Sequence, residues 1–181
     1  MHIHIFGASG SGTTTLGRAL ASELELAFLD ADDFFWEQTE PPFREKKDIP
    51  ERQAELATAT KDADSWVLSG SVMGWGDFLI PEIDLAVYLY LRPEIRLARL
   101  LARERERNGD RIAPGGDMRA SHEEFMAWAG RYDTAGLEQR SKASHAEWML
   151  TLSCELLVIE GEERTREKIA QIIRSYRAFH Q

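Results

Sequence analysis

Eight consecutive residues near the start of the chain, Gly7-Ala8-Ser9-Gly10-Ser11-Gly12-Thr13-Thr14, have the composition of a turn that holds phosphate. They fit the pattern G-x-x-x-x-G-K-S/T at every fixed position except the lysine, where Thr13 stands. Glycines let successive backbone N–H groups turn inward and approach phosphate oxygens with no Cβ in the way. A helix that opens directly after them adds the positive end of its dipole to the same anion. Thr14 carries the hydroxyl that such turns place on Mg²⁺. The chemistry implied is binding of a nucleoside triphosphate, read as ATP, together with Mg²⁺. The absent lysine removes a point charge from beside the β- and γ-phosphates, so it bears on turnover. The opposing interpretation is a glycine-rich strand-to-helix turn that binds nothing.

Two further groups carry charge in patterns that suit phosphate chemistry. Asp30, Asp32 and Asp33 cluster at the predicted end of a second strand, where α/β folds collect ligands. They are equally good caps for a following helix. Arg96, Arg99, Arg103 and Arg107 recur at spacings of three and four, which places them on one helix face. Arg111 follows in a loop, and the interleaved Glu104 and Glu106 allow a solvated, salt-bridged helix instead.

The elements that must position these groups alternate between β-rich and helical runs. Strands are predicted at Ile3 to Phe6, Leu26 to Leu29, Trp66 to Ser69, Leu85 to Leu91 and Leu156 to Ile159. Helices are predicted at Thr13 to about Glu25, Ile49 to about Ala63, and from Pro93 through the arginine series. Met118 to about Leu150 reads as helical, broken near Gly130 and Gly136, and a last helix runs from about Glu162. Such alternation implies a parallel sheet covered by helices on both faces: a three-layer α/β fold with five strands. Residues 1–181 read as one domain, with no internal repeat or dividing linker.

The glycine turn, the element order and the segment Phe28-Leu29-Asp30-Ala31-Asp32-Asp33 together resemble the small P-loop kinases: nucleoside monophosphate, shikimate and gluconate kinases. The form G-S-G-T-T resembles that of some phosphoribulokinases and archaeal cytidylate kinases, which work without the lysine. The resemblance implies a strand order of 2-3-1-4-5 and an arginine-bearing lid over about residues 103–117. It assigns Asp30 to the metal or its waters, and Asp32 to the acceptor hydroxyl. It assigns Arg103, Arg107 and Arg111 to the transferring phosphoryl group. Ser69-Gly70 is similar to the D-G that ends the equivalent strand in nucleoside monophosphate kinases. Gly70 matches, while Ser69 stands where the family has its Mg²⁺-associated aspartate. Arg131-Tyr132-Asp133 resembles the arginine–aspartate motif after the lid. Arg140 is not at the family's usual spacing, so only Arg131 is carried over.

Weaker candidates surround the acidic cluster. Phe34, Phe35 and Trp36, followed by Pro41-Pro42-Phe43-Arg44, would wall a ring-bearing or anionic acceptor, or simply fill core. Asp33, Arg52 and Trp75 are further acceptor-site candidates. His2 and His4 face the same way on a strand and would suit a metal-dependent hydrolase with His122 and His145 as later ligands. Such barrels need ~250 residues, and the pair lies at the strand's start whereas the glycine turn lies at its end. They read as strand histidines. The lone Cys154 reads as a small apolar residue before a strand.

Composition narrows the partners. A formal net charge of −9 over 181 residues argues against a nucleic-acid or anionic-membrane surface. No apolar run approaches the ~20 residues of a membrane span, and the N-terminus lacks a basic region before a long apolar one. A cytoplasmic location is expected. The expected activity is phosphoryl transfer from ATP to a hydroxyl- or phosphate-bearing small molecule. A nucleotide-binding regulator or slow NTPase without an acceptor is the alternative.

Overall fold

A computed structural model describes residues 1–180. Five strands, β1 (His2–Gly7), β2 (Ala27–Asp30), β3 (Trp66–Ser69), β4 (Leu85–Tyr90) and β5 (Glu155–Glu160), form one sheet. Their order is β2-β3-β1-β4-β5, and every pairing is parallel. The seven α-helices are α1 (Thr13–Leu24), α2 (Ala31–Phe35), α3 (Ile49–Asp62), α4 (Pro93–Asn108), α5 (Arg119–Gly130), α6 (Lys142–Met149) and α7 (Thr165–Phe179).

The middle strands are apolar on both sides because both sides are covered. Ile3 and Ile5 of β1 pack with Val67, Val87, Leu16 and Leu20 of α1, and Ile172 of α7. Phe6 points the other way, among Leu68, Ala86, Tyr88, Leu56 of α3 and Trp148 of α6. β1 is therefore central in both the sheet and the layers. Its C-terminal end, where the glycine turn begins, is held on four sides.

Several segments refine the expectation. The capping reading of the acidic cluster holds for Asp30, which caps the five-residue α2 by accepting the Asp32 N–H at 3.2 Å, while Asp32 and Asp33 lie within the helix. In the stretch 118–150 the expected break falls at Gly130, but the interruption runs past Gly136 to Ser141. A 3-10 turn at Arg131–Asp133 follows α5, and α6 restarts at a reciprocal Ser141/Ser144 capping box. The last helix begins at Thr165, where Glu167 accepts the Arg164 N–H at 3.0 Å. Residues 162–164 stay outside it. No described helix is long and apolar enough to cross a membrane.

Arg96 departs most from the solvated helix face the arginine spacing allowed. It is 0% exposed, donates to the Ala129 carbonyl at 2.7 Å and pairs with Asp133 at 2.5 Å. Removing one partner of a buried ion pair strands the other charge. Asp133→Ala is expected to lower the unfolding free energy in urea by about 3–5 kcal/mol.

Two buried histidines make stability depend on pH. His4 stacks on Phe6 at 5.2 Å, and burial pushes its pKa down to about 4 against the weaker pull of the Leu68 carbonyl. His145 is pushed down to about 3, by burial first and then by the Arg140 charge. Both bind protons more readily unfolded than folded. Their contribution is complete above 6.5, the ordinary histidine value, and is lost as pH falls below it. The unfolding free energy should fall by about 2 kcal/mol per histidine between about pH 7 and pH 5. His145→Gln should flatten that slope in urea titrations.

Candidate active site

The glycine turn is shaped by two close approaches and one open position. A Cβ on Gly7 would strike the Leu89 carbonyl of β4, and one on Gly10 would lie 2.6 Å from the Arg96 carbonyl of α4. These glycines let the turn seat against its neighbours. Gly12, at φ 96°, caps α1 with no side chain of its own, and a Cβ there would meet nothing within 4 Å. It keeps open the space that a phosphate would fill. The first turn of α1 contains no acidic residue, and no side chain caps its N–H groups. The cradle therefore fits an anion.

A cleft of about 460 Å³ opens over this turn, within the range of small-molecule sites. Thr13 and Thr14 lie on one wall. α4 supplies Arg99 and Arg103, and the non-helical residues before α7 supply Glu162 to Arg164. Arg99 reaches Glu162 at 3.4 Å across the opening. Lys168 lines the floor and donates to the Gly161 carbonyl at 3.2 Å. These β5–α7 contributors were not anticipated, since the sequence reads them as helix.

Thr14 and Asp30, distant in sequence, meet at the end of the sheet. Burial raises the Asp30 carboxyl, opposed by hydrogen bonds from the Asp32 N–H and the Thr14 hydroxyl. Asp30 thus serves as helix cap and also faces the turn. A hydroxyl and a buried carboxylate beside an anion cradle are the hard oxygen donors that Mg²⁺ takes. Asp32 and Asp33 are exposed on α2, and among the described residues no side-chain donor reaches the Asp32 carboxylate. Gly70, at φ 96°, lets the end of β3 approach this region, since a Cβ there would sit 2.9 Å from that of Ala31.

The arginines separate into two groups. Arg103 stands over the turn, and both Arg107 and Asp32 lie close enough to perturb it. Arg140 reaches the turn itself: its guanidinium donates to Ser9 Oγ at 3.0 Å and lies 4.9 Å from the Trp128 ring centre. Burial disfavours its charge and Asp32 favours it. Arg131, by contrast, pairs with Glu138 at 3.0 Å on the surface and does not approach the turn. Of the two arginines, it is Arg140, not carried over from the sequence, that lies against the turn. Arg140 immediately precedes the Ser141 cap of α6, and that Ser-x-x-Ser box was the overlooked signal.

The remaining candidates face the chain segment between α2 and α3. Arg111 binds Asp117 at 2.8 Å and Glu40 at 3.2 Å, Arg107 sits 5.5 Å from the Phe43 ring centre, and Arg44 donates to Ser121 Oγ at 2.5 Å. The expected lid therefore meets the segment bridged by Trp36 and Lys46, and Arg111 is engaged there by Glu40. Arg52 donates to the Lys47 carbonyl at 2.6 Å and lies 3.9 Å from the centre of Phe35. Trp75 is buried, packs on Phe35 at 6.0 Å and donates to the Ser71 carbonyl at 3.3 Å. It lies in the core beneath Phe35 rather than lining an open surface.

Residues 3–127 match the model of a family described as AAA domain. The uncharacterized protein YqaC of Bacillus subtilis (strain 168) is 42% identical over 172 residues, covering 95% of each chain. A cytidylate kinase of Methanocorpusculum labreanum is 31% identical over 120 residues, covering 58% of this chain and 63% of its own. Shikimate kinase from Acinetobacter baumannii in complex with shikimate shares the fold, with a TM-score of 0.57 at 18% identity, covering 98% of this chain and 93% of that one. With its open glycine turn and 2-3-1-4-5 sheet, the chain belongs to this AAA-domain family and shares the fold of a shikimate kinase and a gluconokinase, with Thr13 at the lysine position of the turn.

Proposed function

We propose that the protein is an ATP- and Mg²⁺-dependent kinase that phosphorylates a hydroxyl or phosphate group on a small metabolite. The meeting of Thr14 and Asp30 beside the open turn carries this reading, with the unpaired Asp32 carboxylate one helical step away. The kinases among its relatives support the reaction class.

Each group has a role that its position suits. The turn's N–H groups hold the β- and γ-phosphates. Thr14 and Asp30 would hold Mg²⁺, which would supply screening of the phosphate charge. Asp32 takes the proton of the acceptor hydroxyl as its oxygen bonds to the γ-phosphorus. The bond to the β,γ-bridging oxygen breaks, leaving a nucleoside diphosphate and the phosphorylated acceptor. Arg103 and Arg140 supply the positive charge that Thr13 cannot, and they stabilise the equatorial oxygens during transfer.

Nucleotide binding is checked first. Calorimetry should show ATP affinity that requires Mg²⁺. Gly12→Val should abolish it by filling the open position, and Thr14→Ala should mainly weaken the Mg²⁺ dependence. Wild-type protein without affinity at millimolar ATP would end the proposal.

Turnover is checked by ADP formation with shikimate, gluconate or cytidylate above the rate without acceptor. Asp32→Asn should lower the acceptor-dependent rate by about 10². Arg103→Ala or Arg140→Ala should lower it by about 10²–10³, with little change in nucleotide affinity. Thr13→Lys should partly restore the arginine variants, because a lysine lacks the guanidinium's fork. Arg131→Ala should act like wild type. ADP formation indifferent to every acceptor would instead indicate a slow NTPase.

A further inference from the structure

Four hydrogen-bonding side chains run in line through the core, and nothing in the transfer chemistry above uses them. The Tyr88 and Tyr132 hydroxyls are 2.8 Å apart. The Tyr132 hydroxyl lies 2.7 Å from His145 Nδ1, and His145 Nε2 lies 3.0 Å from Ser71 Oγ. The line joins β4, the 3-10 turn after α5, α6 and the loop after β3. Tyr88, Tyr132 and His145 are buried, with Phe6 against the imidazole at 5.3 Å. Ser71 alone is half-exposed.

Burial keeps the imidazole neutral, so one ring nitrogen carries a proton and the other accepts. That leaves two directions. With the proton on Nδ1, His145 donates to Tyr132 and Tyr132 donates to Tyr88. The Tyr88 proton is then stranded, because no further acceptor reaches Tyr88 Oη among the described residues. With the proton on Nε2, Tyr88 donates to Tyr132, Tyr132 donates to Nδ1, and Nε2–H donates to Ser71 Oγ. Every buried polar atom of the line is then paired. A stranded buried donor is the costlier state, so the second direction holds. The one proton left over is that of Ser71.

Ser71 stands where an acceptor would lie. It follows Gly70, which packs against Ala31 between Asp30 and Asp32. Arg140, whose charge acts on both His145 and Asp32, borders the same space.

We propose that Ser71 is an acceptor-binding residue whose hydroxyl is held as a free donor, beside the Gly70–Ala31 contact at the ends of β2 and β3, by the His145–Tyr132–Tyr88 line. It recognises an oxygen with free lone pairs on the acceptor, a carboxylate, carbonyl or second hydroxyl distinct from the attacking one. This rests on the kinase reading. His145, Tyr132 and Tyr88 are positioning residues that act through Ser71.

The test has two arms. In ¹⁵N-labelled protein, the His145 imidazole, assigned by its loss in His145→Gln, should show Nε2–H and a bare Nδ1 unchanged from about pH 5 to 8. Tyr132→Phe should weaken that preference. An Nδ1–H tautomer in wild type would overturn the inference. In kinetics with whichever of shikimate, gluconate or cytidylate is phosphorylated, Ser71→Ala should raise the acceptor KM by about 10-fold or more. Its kcat should stay within about threefold and its MgATP Kd within about twofold. Ser71→Thr, which keeps the hydroxyl, should restore KM. An unchanged KM in Ser71→Ala overturns the inference and leaves the kinase reading standing. If wild type phosphorylates none of the three, the kinase reading loses its support, and the tautomer decides the direction of the line.

Discussion

The contact between the glycine turn and the two elements behind it constrains everything else at the site. β1 is the middle strand, and its last residue, Gly7, lies directly against the Leu89 carbonyl of β4. Gly10 backs onto α4 at the Arg96 carbonyl. A side chain at either position would push the turn away from the sheet, and the inward N–H groups would lose their common focus. Seated as it is, the turn faces one side of the sheet's C-terminal edge, and the ends of β2 and β3 bring Asp30 and Gly70 alongside.

Charge arrives at this edge from far along the chain. The turn itself holds no cation. Arg103 comes from the third turn of α4, and Arg140 from the approach to α6. Both lie near Asp32, whose carboxylate offsets part of the cost of keeping two guanidinium groups close to the turn. Surface charges of this acidic protein behave differently. Arg111 and Arg131 are neutralised by local carboxylates before they can reach the cleft.

Residues 129 to 145 tie these parts together. Ala129 and Asp133 hold Arg96, which anchors α4 beneath the turn. Tyr132 enters the buried hydrogen-bonded line, Arg140 touches Ser9, and His145 holds Ser71. One short segment thus couples the back of the glycine turn to the loop after β3. A buried polar network of this kind specifies a single arrangement, because any displacement leaves several groups unpaired at once.

The turn, the five strands and the acidic cluster were legible in the residues. Glycine's freedom, β-branched apolar runs and the pattern of a strand followed by a helix are local properties that the chain carries wherever it is placed. Trp66–Ser69 was read with both of its boundaries. Which arginines serve the cleft was not local. Arg96, Arg99, Arg103 and Arg107 look alike along one helix. Packing buries the first against Asp133, brings the second and third to the cleft and turns the last toward Phe43. Arg140 rather than Arg131 lies against the turn, because the segment after the 3-10 turn carries Arg140 to Ser9 while Arg131 pairs with Glu138. The line from Tyr88 to Ser71 draws on four separate elements, so no spacing in the sequence records it. Partners for side-chain charge and hydrogen bonds depend on which elements meet, and that is settled only when the sheet and its two helical layers close.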